Sequence, residues 1–150
     1  NVRLILADSI MKAFGTPSDL KHIKDYVVNE PDNITKNLIN MYGKTFIPPN
    51  PNIPIPEMID SLDSYADQLF QFGWIKDESK YEEYKDRTEN LSGLFQQNKI
   101  QDVCTNLNWI LSNAQSQRGS TSLTQEGYKF LFYYTGYIKE NIEKEFGACK

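Results

Sequence analysis

Histidine is almost missing from this chain of 150 residues, which has His22 alone, and cysteine is limited to Cys104 and Cys149. With neither residue at metal-type spacing, no zinc cluster can be drawn from the sequence. Long apolar runs are also missing. The most apolar stretch, residues 130–138, carries three tyrosines and falls far short of the ~20 residues of a membrane span. Lys and Arg never cluster, and the net charge of −4 gives a field that repels phosphate backbones and anionic lipid. There is no glycine-rich phosphate loop, nucleophile elbow or dinucleotide fingerprint. The expectation is a non-enzymatic protein with no metal or cofactor, no nucleic-acid partner and no membrane insertion.

Regular strands are missing too: hydrophobic periodicity stays near 3.6 residues throughout. The expected fold is all-α, an irregular bundle of six to seven helices forming a single domain over residues 1–150. Val2, Leu6, Ile10, Ala13 and Phe14 share one face of a first helix, stopped at Gly15. Thr16 as N-cap, Pro17 at the first helical position and Asp19 at the third begin the next, which places Leu20, Ile23, Tyr26 and Val27 inward. A third helix spans residues 33–42.

Proline is concentrated in one place. Five of the nine residues 48–56 are proline, which forbids a helix interior and favours an extended spacer. At ~3.1 Å per residue those residues reach ~28 Å, so residues 46–56 read as a proline-rich crossover loop along the bundle.

Beyond it, residues 57–72 carry Met58, Ile59, Leu62, Tyr65, Ala66, Leu69 and Phe70 on one side and Asp60, Asp63, Asp67 and Gln71 on the other. The aspartate row reads as a solvated face. Residues 78–97 form a charged helix with a narrow stripe of Tyr81, Tyr84, Thr88, Leu91 and Phe95, and Glu83–Arg87 is spaced for an exposed (i, i+4) pair. A helix over residues 100–114, a polar loop over residues 114–122 and a final helix from Thr124 to Phe146 complete the chain. The last helix is apolar on more than half its circumference, which predicts a central position.

Three sets of residues bear on function. Trp109 lies opposite the Ile100–Leu107–Leu111 stripe, among Asp102, Asn106 and Asn113, where a large aromatic on a polar face suits a protein-contact anchor. Leu69, Phe70, Tyr134 and Tyr137 are the alternative, as the lining of a cavity for a small apolar or amphipathic ligand carried between two helices. His22 has no partner at a recognisable catalytic spacing.

Cys104 and Cys149 are an even pair, as in an exported protein with one disulfide. Together with a start at Asn1, this reads as a mature chain after signal-peptide removal, secreted or exported. In a simple antiparallel hairpin the two sulfurs would not meet. Cys104 lies ~15 Å before the end of its helix, whereas Cys149 follows a helix ~35 Å long. Pairing calls for a returning 114–122 loop or a bend near Gly136. Asn33-Ile34-Thr35 and Asn90-Leu91-Ser92 match the N-glycosylation pattern, although a chain so rich in asparagine yields such matches by chance. The leading expectation is a secreted or exported helical binding protein acting through protein–protein contact.

Overall fold

The computed structural model describes residues 16–28 and 52–149. The expected helices over residues 2–14 and 33–42, and most of the proline-rich segment, lie outside them. Among the described residues the chain is helical with no strand: α1 (Pro17–Val28), α2 (Ile55–Gln71), α3 (Glu78–Gln96), α4 (Ile100–Gln117), the single turn α5 (Gln125–Tyr128), a π-helical segment Lys129–Tyr134, and α6 (Thr135–Phe146). The last three run on as one rod.

The helix starts follow local chemistry. The Thr16 hydroxyl accepts from the Asp19 amide at 3.2 Å, and the two side chains also pair, closing the predicted cap. Asp77 accepts from the Ser79 amide at 3.0 Å, and Thr124 accepts from the Gly127 amide at 3.2 Å. At α2 the proline-rich segment proves shorter than expected. Pro54 is the N-cap and Ile55-Pro56 already form the first turn, where a proline sacrifices no helical hydrogen bond. The polar loop is also shorter than expected. The helix continues to Gln117 because Ala114 extends the buried stripe of Val103, Leu107 and Ile110.

Packing joins the helices into a ring. α2 neighbours α3, α3 neighbours α4, and the final rod packs on both α4 and α2. α2, α3 and α4 run antiparallel in turn, as two sets of cross-helix bonds show, and the Cys104–Cys149 bond does the same for the final rod against α4. Asp67 accepts from Tyr81 and Asp63 from Thr88, while Tyr84 donates to Gln117 and Arg87 to Asn106. Among the described residues this is an up-and-down four-helix bundle, with α1 laid on α2 through a Ser18–Gln68 hydrogen bond of 2.6 Å. Among the described residues the last helix is therefore one wall of four, where its apolar circumference had predicted a central position. Its wide apolar face is shared between α2, α4 and residues 74–75 and 123. The core lies along the axis, with Leu62, Tyr84, Leu91, Leu107, Ile110 and Ile138 all fully buried.

One end of the bundle is lashed by its two loops. Gly73, at φ +74°, ends α2 and turns Trp74 and Ile75 inward. The Lys76 amide donates to the Ser122 carbonyl at 2.8 Å, and the Thr124 amide to the Trp74 carbonyl at 3.0 Å. Gly127 sits so close beneath that a Cβ there would lie 2.7 Å from both the Trp74 carbonyl oxygen and Leu123.

The other end carries the Cys104–Cys149 disulfide, with Cα atoms 5.1 Å apart. Three features bring the sulfurs together. α4 is a turn longer than expected, the π-helical segment shortens the final rod, and Gly147, at φ +66°, folds the tail back over α4.

Candidate functional site

The outer face of the α3–α4 hairpin gathers the residues expected around Trp109. Trp109 is half-buried and does not stand free in solvent. Its ring meets Tyr84 edge-on at 5.6 Å between centroids, and the Arg87 guanidinium lies 4.7 Å over it. Arg87 is itself fixed by donating to the Asn106 side-chain oxygen at 3.0 Å. The expected Glu83–Arg87 pair is not made. Glu83 takes Lys80 at 3.0 Å, because Arg87 turns across to α4. Asn106 and Asn113 donate to the carbonyls of Asp102 and Trp109, one helical turn back, and the Asp102 side chain is exposed.

Next to this cluster lies an open groove of about 340 Å3, lined by Glu89, Asn90, Gly93, Leu94, Gln97 and Asn106. Asn106 belongs to both, so the Trp109 cluster and the groove form one continuous polar face. A second cleft, of about 320 Å3, lies between the start of α4 and the tail at residues 147–149.

The four residues considered as a ligand lining are not brought around one space. Phe70 turns toward α3, stacked on Tyr81 at 4.4 Å. Tyr134 is buried on the other side of α2, against Tyr65 at 5.0 Å, with Tyr137 near it. Leu69 is fully buried in the core. Burial, followed by the neighbouring Tyr134 and Asp19, pushes the Tyr65 hydroxyl up to about 12.

The aspartate row on α2 is solvated only in part. Asp60 is exposed, but Asp63 and Asp67 turn toward α3, and the Lys85 ammonium bridges both at 3.0 Å. Thr88 donates to Asp63 at 2.8 Å and Tyr81 to Asp67 at 2.6 Å. Burial raises the Asp67 carboxyl, but the Tyr81 hydroxyl and Lys85 ammonium outweigh it and hold it below its ordinary value. Burial likewise lowers Lys85, and its two aspartates more than reverse that. A lysine head group thus occupies the place a cation would take. Among the described residues, no group of histidine, cysteine, aspartate and glutamate side chains is placed to hold a metal. His22 is exposed on α1.

Sequence reasoning missed Arg87 and Tyr84 as companions of Trp109, because they arrive from another helix. It also missed Lys129, which is buried with its ammonium 5.3 Å from the Phe130 ring centroid. No described helix is long and apolar enough to cross a membrane. Compared with protein families, curated proteins and solved structures, the chain matches none of them.

Proposed function

We propose that this chain is an exported binding protein that acts through protein–protein contact, with the outer α3–α4 face as its contact surface. The observation that carries this reading is the half-buried Trp109 held between Tyr84 and Arg87. Tryptophan and arginine are among the residue types that dominate binding energy at protein interfaces, and the fully buried Tyr84 supports them from beneath. Here their rotamers are already fixed by one another and by Asn106, so little side-chain entropy remains to be lost on docking. Asn106 and Asn113 flank the aromatic, each held by a bond to a carbonyl one helical turn back. The buried disulfide supports work in an oxidising compartment.

The test is affinity purification from the natural source with the wild-type chain and with Trp109→Ala and Arg87→Ala, each checked for its melting temperature. The reading predicts a defined partner retained by the wild type and lost from both folded variants. Equal recovery from all three chains would remove Trp109 as the anchor.

A further inference from the structure

We infer that Asn90 is a glycan attachment site, on the rim of the α3–α4 groove beside Trp109. The inference rests on the export reading above. Asn90-Leu91-Ser92 has the required pattern, and the structure separates its three side chains by role: Asn90 is exposed, Leu91 is fully buried and Ser92 is half-buried. The disulfide is formed in the same class of compartment in which such glycans are added.

The surroundings of Asn90 suit a sugar. It lies on the rim of the groove of about 340 Å3, whose wall at Gly93 has no side chain; a Cβ there would meet only the Gln97 amide, at 4.0 Å. Gln97 presents a side-chain amide, which can both donate to and accept from sugar hydroxyls. Asn90 uses one of its two amide hydrogens in a 2.7 Å bond to the Asp86 carbonyl. The other is the one replaced on attachment, and the nitrogen keeps an N–H for Asp86. In the transfer, the amide nitrogen bonds to the anomeric carbon of a lipid-pyrophosphate-linked oligosaccharide. The bond from that carbon to the pyrophosphate oxygen breaks, lipid pyrophosphate leaves, and the amide proton passes to a base of the transferase. Because Asn106 borders both the groove and the Arg87–Trp109 pair, the glycan flanks the proposed contact surface and limits it on that side.

The experiment is secretion from a eukaryotic host behind a cleavable signal peptide, using Asn33→Gln so that only one pattern remains. Treatment with an amidase that removes N-linked glycans is expected to lower the mass of Asn33→Gln and convert Asn90 to aspartate. The shift is expected to vanish in Asn33→Gln/Asn90→Gln and in Asn33→Gln/Ser92→Ala, which keeps Asn90 but breaks the pattern. A secreted Asn33→Gln chain whose mass the amidase leaves unchanged overturns the inference. Thiol labelling of the chain isolated from its natural source reads the export proposal separately. A disulfide-bonded but unglycosylated chain sinks the glycan alone, whereas free thiols at Cys104 and Cys149 count against the export reading whatever the amidase shows.

Discussion

Asp67 illustrates how one side chain ties stability to pH. Its carboxyl lies below the ordinary value of 3.8 in the folded chain, so between the folded and unfolded values the unfolded chain binds more protons. The stability it contributes is therefore complete above the unfolded value and lost as the pH falls through the folded one. Melting temperatures followed from neutral to strongly acid pH are expected to drop less steeply in Asp67→Asn than in the wild type. Identical slopes would mean that Tyr81 and Lys85 do not stabilise the charged form. Thr135 makes the opposite point. Its hydroxyl is fully buried and has no hydrogen-bond partner among the described residues. Thr135→Val, close in shape, is expected to leave stability unchanged or raise it by up to about 1 kcal/mol in urea unfolding. A loss of more than about 1 kcal/mol would show that the hydroxyl is satisfied in solution.

At the scale of elements, two antiparallel hairpins decide which helix faces meet. Arg87 and Trp109 are equidistant from Asn98, in the α3–α4 connector, and Asp63 and Lys85 are equidistant from Trp74, in the α2–α3 connector. Short connectors force antiparallel neighbours, so these partners follow once the connectors are known to be tight. The sequence reading treated each helix by itself, which is why Asp63 and Asp67 appeared as a solvated row and Arg87 as the partner of Glu83. The start of α1 was more legible, because the cap at Thr16 needs only neighbouring residues. The lashed end at residues 74–76 and 122–124 was not. Its pairing joins two loops far apart in sequence, and nothing local marks Ile75 or Leu123 as core. Gly127→Ala tests that junction. Its Cβ would press on the Trp74 carbonyl, a backbone atom with no rotamer to escape into, and overpacking of this kind costs about 1–3 kcal/mol. A substitution that leaves the urea midpoint unchanged would show that the two loops separate freely.

For the whole molecule, the disulfide closes the bundle at the end opposite the lashed loops. Its sequence separation of 45 corresponds to a loop-closure stabilisation of about 4 kcal/mol. Reduction is expected to lower Tm by roughly 10 °C at a chain of this size, with the helical circular dichroism retained below the transition. A reduced chain that melts with the oxidised one would show that α4 and the tail are held by the core alone.

The sequence by itself determined the helical class, the cap at Thr16, most of the residues that enter the core, and the net negative charge. These depend on residues within a turn or two of one another, where periodicity and capping chemistry act. Only the tertiary structure decided that the last helix is a wall of the bundle, that Lys85 bridges the aspartates of α2, that Arg87 covers Trp109, and that Cys104 reaches Cys149. Each depends on which helices become neighbours and at what height. That is set by packing side chains around one shared axis, with the π-helical segment, the extra turn of α4 and the fold-back at Gly147 adjusting the heights so that the contacts close.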